Sequence, residues 1–365
     1  MRISRSAAYA IGVVAAASLV AGCSGATQSS ALAPTSMTNA AHQGVSPLHT
    51  HGAIDAYITV KQPGKAHPDH QKSWVSPDVK KREPRILFVS DAGTEDVYMY
   101  SLPGMKLKGT LTGFSEPQGM CADQKGDVFV DNTGTTQVLE ISRTGSIINT
   151  FTDSVGYPVG CAVDPATGNL AVANIFGFYG AGQVVIWPGA NPSSTPTTVS
   201  NPAQYFYFFA GYGPGSDLWV SGRNSYGTYM VSGCGASSCS TINLSGGTIY
   251  FPGAVQYDHV RGEWVLFDQL CGDTEAACSY PVSGSGELGS ATTYHNYNGG
   301  NVCDLVQGTI AGDLLKFAVG SDYEYCGAAS NSSARWAYTA GGSPTNYATY
   351  SDAYAIPDGA AVSSK

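Results

Sequence analysis

PQGMCADQKGDVFVDNTGTTQV, residues 117–138, decides the fold. It opens on a proline, runs through a short apolar strand to Asp123 and turns at Gln124-Lys125-Gly126. A second alternating strand then reaches Asn132 before a third begins. Short alternating runs split by Gly, Asp and Asn read as antiparallel strands joined by tight turns. The same order of residues returns at 158–184, PVGCAVDPATGNLAVANIFGFYGAGQV, and weaker copies follow. Aligned on Val89, Val130, Val172, Val220, Leu266 and Lys316, the second strands step by 41, 42, 48, 46 and 50 residues. A period of roughly 40–50 residues with about four strands per unit is the signature of a β-propeller.

First strands recur at residues 117–123, 158–164, 202–209, 252–258 and 301–307. None stands ahead of Ile86, but residues 357–363, PDGAAVS, repeat the pattern of PQGMCAD at the other end of the chain. The last strand is therefore expected to complete the unit that begins at Ile86, and such closure removes exposed sheet edges. The expected fold is all-β, a six-bladed propeller over residues 85–365 closed by its C-terminal strand.

The repeated unit, P-x-G-x-x-x-D followed by G-[DN]-L-[YFW]-V-[AS]-[DN], resembles NHL repeats across residues 85–364. It is similar also to the six-bladed propellers of the SMP-30/gluconolactonase-like and virginiamycin B lyase-like groups. The resemblance is good in the first three units and degenerate in the last three. It implies a blade and leaves the chemistry open. SMP-30-like enzymes imply a Glu/Asn/Asp metal set that polarises a lactone carbonyl. Virginiamycin B lyase-like enzymes imply a His/Glu/His set near the channel.

The chain ahead of the repeats reads differently. Arg2 and Arg5 precede an apolar run at residues 7–20, too short to span a bilayer as a mature helix, so it reads as a signal peptide over residues 1–22. Val20-Ala21-Gly22-Cys23 resembles the bacterial lipobox, which implies a diacylated Cys23, and Ser24 after it implies outer-membrane sorting in a Gram-negative cell. Residues 23–84 are expected to be this lipidated cysteine and a flexible tether, because residues 24–47 are rich in Ala, Ser, Thr and Gln with no sustained period. The protein is thus expected to be exported and lipid-anchored at the cell envelope. Five of the seven histidines, at 42, 49, 51, 67 and 70, lie in this arm, where forming a site would cost full ordering entropy. The basic run KSWVSPDVKKREPR, residues 72–85, reads as a solvated face that near a membrane would lie on anionic head groups.

Eight further cysteines, Cys121, Cys161, Cys234, Cys239, Cys271, Cys278, Cys303 and Cys326, make an even set in an exported chain and argue for disulfides. Cys234/Cys239 and Cys271/Cys278 have the spacing of local staples. Cys121 and Cys161 hold the same place in adjacent first strands; a bridge there requires Cα atoms within ~7 Å, a closer approach than separate blades guarantee. Cys303–Cys326 would lie within the last unit.

Candidate site residues follow from the ends of the second strands, Asp91, Asn132, Asn174, Asn224, Asp268 and Asp322, with Asp131 beside Asn132. A ring of carboxylates and amides suits a hard cation such as Ca²⁺. The same residues also cap strand-to-loop turns through side-chain-to-backbone hydrogen bonds. His295, flanked by Tyr294, Asn296 and Tyr297, is the one candidate general acid or base, and His259 sits in a turn. The aromatic run YFYFFAGY at residues 205–212 reads as a packed strand, and the tyrosines of residues 323–354 as blade packing or as a stacking surface for sugars.

Only 12% of the 365 residues are charged, against ~25% in typical soluble domains. Residues 109–364 hold 20 Asp and Glu against 6 Lys and Arg, a balance of −14. A body of that sign repels phosphate backbones, so nucleic acid is excluded as a partner. The expected function is a non-catalytic binding module for a protein, glycan or small ligand, membrane-held through Cys23. The alternative is a metal-dependent hydrolase or lyase of the SMP-30-like type.

Overall fold

The computed structural model describes residues 72–81, 83–271, 277–299, 305–310, 317–322, 332–350 and 355–364. Its strands assort into antiparallel sheets, four meanders of four strands and two sheets of five, counted outward from an inner strand, and the architecture is an all-β propeller. Sheet 1 runs outward as Pro357–Ser364, Arg85–Asp91, Asp96–Leu102, Lys106–Leu111 and Trp74–Val75. Sheet 2 follows with Pro117–Ala122, Val128–Asn132, Gln137–Ile141 and Ile147–Thr152. Sheet 3 is Gly156–Val163, Leu170–Gly177, Val184–Trp187 and Thr197–Val199, with Gly180–Ala181 beside the second strand. Sheet 4 is Phe206–Tyr212, Leu218–Arg223, Tyr229–Cys234 and Cys239–Ile242. Sheet 5 is Pro252–Asp258, Glu263–Asp268, Cys278–Val282 and Thr292–Thr293. Sheet 6 is Thr309–Ile310, Phe317–Asp322, Ser332–Ala337 and Asn346–Thr349. Five of these sheets carry inner strands of six to eight residues; the inner strand of sheet 6 is two residues long.

Alternation along each strand sends one set of apolar side chains to each neighbouring sheet. Val128 and Val130 pack with Ile86, Phe88 and Met99 of sheet 1, whereas Phe129 packs with Cys161, Leu170 and Val172 of sheet 3. Leu87, Val89 and Tyr100 of sheet 1 meet Ala348 and Tyr350, at the outer strand of sheet 6. The inner strands approach closely because their third residue is small. A Cβ on Gly359, Gly119 or Gly160 would collide with the carbonyl oxygen of Gln118, Val159 or Phe208 in the next sheet. Serines in the second strands lock that contact. Ser221 Oγ donates to Gly253 O of sheet 5 at 2.8 Å, and Ser90 Oγ donates to Gln118 O of sheet 2.

The C-terminal strand pairs along its whole length with Arg85–Asp91, from Arg85↔Ser364 to Asp91↔Pro357. Three boundaries differ from expectation. In sheet 6 the inner strand is Thr309–Ile310 rather than residues 301–307, of which 301–304 lie outside the described residues. Part of the expected tether packs on sheet 1: Trp74 pairs with Thr110 and Val75 with Gly109, and the helical turn Asp78–Lys81 buries Val79 completely. An open strand edge recruits an apolar pair wherever one lies within reach. The inner strand of sheet 4 is Phe206–Tyr212, later than residues 202–209, because Asn201 and Gln204 hold a turn through Ala203 N–H and the carbonyls of Phe206 and Ser221. Cys23, Cys303, Cys326 and the signal and tether residues before 72 lie outside the described residues.

Three disulfides form among the described residues. Cys121–Cys161 joins the inner strands of sheets 2 and 3 with Cα atoms 5.5 Å apart, inside bridging range. Cys234–Cys239 and Cys271–Cys278 are the local staples.

Candidate functional site

The ends of the inner strands define two faces. At the face where these strands begin, Asp91, Asn132, Asn174 and Asp268 stand at one repeat position. Each lies opposite a proline at or near the start of its inner strand: Pro357, Pro117, Pro158 and Pro252. Proline has no N–H, so the ladder lacks a donor there, and the side chain opposite collects the nearby amides instead. Asp91 Oδ1 accepts from Ile356 N–H at 2.8 Å and also from Gly93 and Thr94. Asn132 Oδ1 accepts from Ser115 N–H at 2.7 Å. Asp268 accepts from Tyr250, Phe251 and Leu270 N–H at 2.8–3.1 Å. Asn174 Nδ2 donates to Asp153 Oδ2 at 2.9 Å, and Asp153 Oδ1 accepts from Val155 and Gly156 N–H. These side chains fasten each loop that enters an inner strand, the capping geometry rather than an open ring.

Asn224 does not join them. It lies just past Leu218–Arg223, where its Oδ1 accepts from Tyr226 and Thr228 N–H in a hairpin turn. Asp322 ends its strand opposite Ser332. Burial pushes the Asp91 carboxyl up to about 6 against the pull of its amide donors. Asp131 and Asp153 are both buried and both raised, by burial first and, for Asp131, by Asp153 second.

At the opposite face, where the inner strands end, lies a cavity of about 890 Å³ that the sequence reading did not find. Gln307 lines it. Its Nε2 donates to Met120 O at 2.6 Å, and its Oε1 accepts from Met120 N–H at 2.9 Å and Ala360 N–H at 3.0 Å. One amide thereby ties the segment before the inner strand of sheet 6 to sheets 1 and 2. Gln256 does the same between sheets 5 and 6, donating to Thr309 Oγ1 at 2.6 Å and accepting from Ile310 N–H at 2.8 Å. The Cys121–Cys161 bridge and small residues, Ala122, Ala162, Ala210, Ala254 and Ala361, form the walls.

The rim carries turn residues. Asp123 Oδ1 accepts from Lys125 and Asp127 N–H, both at 2.9 Å, and Asp164 Oδ1 accepts from Ala166 N–H at 2.9 Å. Carboxylates of Asp123, Asp127 and Glu140 lie within 4.8 Å of one another. Burial, then the neighbouring carboxylates, raise Asp127 and Glu140, and Asn149 Nδ2 donating to Glu140 opposes this. His259, read from sequence as an ordinary turn residue, lines the cavity with its ring against Tyr257 at 5.1 Å. His295 is not among the lining residues. Its backbone carbonyl accepts from Trp336 Nε1 at 2.7 Å, and its N–H donates to Gly342, which places it at the outer part of sheets 5 and 6.

The signal that would have found this site is small: Gln256 stands where other copies carry Cys121, Ala162 and Ala361, and Gln307 where they carry Asp123, Asp164 and Asp258. Chemically, the cavity offers small apolar walls, the amides of Gln256 and Gln307, the phenols of Tyr212 and Tyr257, and carboxylates on its rim.

No family model matches the chain, and neither does any curated protein. Among solved structures, a protein of unknown function from Bacteroides caccae matches at TM-score 0.58 and 12% identity, over 78% of this chain and 100% of that one. A chain in a nidogen/laminin complex matches at TM-score 0.58 and 10% identity, over 76% of this chain and 98% of its own length. A virginiamycin B lyase from Staphylococcus aureus matches at TM-score 0.49 and 10% identity, over 79% and 91%. At these identities the likeness carries the fold alone, that of a β-propeller.

Proposed function

We propose that the chain is an exported, lipid-anchored, six-bladed propeller that binds a ligand in the cavity at the ends of its inner strands, without catalysis. The observation that carries this reading is the cavity itself, about 890 Å³, within the range of specific small-molecule sites. Between walls of small apolar residues, Gln256 and Gln307 present neutral amides held by fixed partners, as a preorganised binding surface requires. The six sheets and the pairing of Pro357–Ser364 with Arg85–Asp91 support six blades closed by the C-terminal strand. Disulfides and the Arg2–Cys23 pattern support export and lipidation.

The ligand is a protein segment, a glycan end or a small molecule with neutral polar groups. Screening the exported chain against a glycan array and a small-molecule library by thermal shift tests the reading. A hit whose affinity falls at least tenfold in Gln256→Ala and His259→Ala supports it. Hits unaffected by both substitutions overturn the cavity as the site. Turnover of a lactone substrate that disappears on metal chelation would instead support the hydrolase alternative.

A further inference from the structure

The outer edge of sheet 1 is unlike the rest of the surface. Seven Lys and Arg fall in residues 72–108, against six in residues 109–364. Lys72, Lys80 and Lys106 are exposed just ahead of the outermost strand, on the helical turn after it and on the strand beside it. Lys108 is neutralised locally, 2.8 Å from Glu83. Among these cations stand exposed apolar side chains: Trp74 is 43% exposed and Leu107 45%. Sheet 2 has exposed apolar side chains at its own outer edge, where Ile147 and Ile148 open the outer strand 57% and 48% exposed. Trp74, Leu107, Ile147 and Ile148 are four of the eight large hydrophobic side chains exposed among the described residues.

A scattered apolar residue is ordinary on a protein surface, but an apolar group interleaved with lysines at one edge is a specific pattern. Tryptophan favours the headgroup level of a bilayer, and lysines are drawn to anionic lipid within a Debye length. The remainder of the body, with its balance of −14, is repelled by the same surface, so only one orientation brings attraction. The edge is also where the chain from Cys23 arrives, about 50 residues upstream of Lys72.

We infer that this edge docks the propeller on an anionic phospholipid surface. Trp74 enters the headgroup layer, with Leu107 of the neighbouring strand, and Lys72, Lys80 and Lys106 face lipid phosphates. The inference rests on the exported, membrane-side reading above, but not on lipidation of Cys23. It sets the propeller edge-on to the membrane, so the cavity opens alongside the bilayer rather than into it.

Trp74 makes the test direct, because Trp187, Trp219, Trp264 and Trp336 are all 3% exposed or less. The full exported chain is mixed with phosphatidylglycerol–phosphatidylcholine vesicles carrying either brominated or plain acyl chains. Tryptophan emission is expected to drop in the brominated vesicles. The drop is expected to vanish in Trp74→Phe and in vesicles of phosphatidylcholine alone. The triple variant Lys72→Glu, Lys80→Glu, Lys106→Glu should lose roughly a hundredfold in partitioning, given the contribution of each cation at an anionic surface. Equal emission in both vesicle types, with the chain floating alongside them, overturns docking and leaves the lipid anchor standing. Quenching that persists when mass spectrometry finds no diacylglycerol on Cys23 upholds docking and removes the anchor. Neither flotation nor quenching at low salt overturns both.

Discussion

The two faces of the inner-strand ring use the same residue types to opposite ends. At the face where the strands begin, Asp91, Asn132 and Asp268 each turn inward onto the backbone of the loop opposite a proline. At the face where they end, Asp123 and Asp164 cap hairpin turns, and the space between the strands stays open as a cavity. Repeat residues build both rims. What distinguishes the cavity is the handful of residues that break the repeat, Gln256, Gln307 and the Cys121–Cys161 bridge. Function in a repeat fold is carried by departures from the template.

The comparison can be broken most forcefully at the C-terminus. Removing residues 356–364 takes away the inner strand of sheet 1 and the Ile356 amide that Asp91 holds. The expected loss is on the order of the whole folding free energy, 5 kcal/mol or more, read as loss of a cooperative thermal transition. An unchanged transition would show that the strand is not needed to complete the ring.

Next in size is the bridge at the cavity wall. Cys121→Ser with Cys161→Ser opens a loop whose ends are 40 residues apart, and chain entropy predicts a loss of about 4 kcal/mol. Reduced and oxidised melting curves of the unmutated chain give the same comparison without substitution.

Asp268→Ala leaves the buried amides of Tyr250, Phe251 and Leu270 without their acceptor, and about 3 kcal/mol of stability should go with them. Chemical denaturation measures it. The same substitution should leave ligand affinity at the far cavity within a factor of two or so, since sites this separate add independently. Coupled losses would break the contrast between a structural face and a binding face.

The smallest effect has the opposite sign. In the aligned repeats Asp131 takes the place of Ser90 and Ser221, whose hydroxyls donate to an inner-strand carbonyl of the next sheet. Burial and Asp153 hold the Asp131 carboxyl well above the usual carboxylate range. The folded state therefore keeps this proton to higher pH than the unfolded chain does, so native stability declines as pH climbs from the ordinary carboxylate range toward the raised value. Asp131→Ser removes that cost and should add about 1–2 kcal/mol at neutral pH, the gain shrinking toward pH 4. A gain independent of pH would show that Asp131 is not held protonated.

The architecture was legible because a propeller repeats. The period of the second strands, the proline-led first strands and the displaced copy at residues 357–363 placed almost every sheet. Where the template failed, the structure followed local chemistry: Asn201 and Gln204 delay the inner strand of sheet 4, and Trp74–Val75 adds a strand that no repeat announces. The cavity was not legible, for a reason of distance. Gln307 finds Met120 across 187 positions and Gln256 finds Ile310 across 54, and neither pair leaves a period or a motif. The aspartates and asparagines that did stand out were conspicuous because they repeat, and their repetition marks a turn.

Gln307 has a further consequence. Its amide donates to and accepts from one residue, Met120, and accepts from Ala360 as well. The inner strands of sheets 1 and 2 are thus held together by a side chain that belongs to neither. Removing that side chain strands one carbonyl and two amides at once, so the cavity wall depends on a single residue for the alignment of its strands.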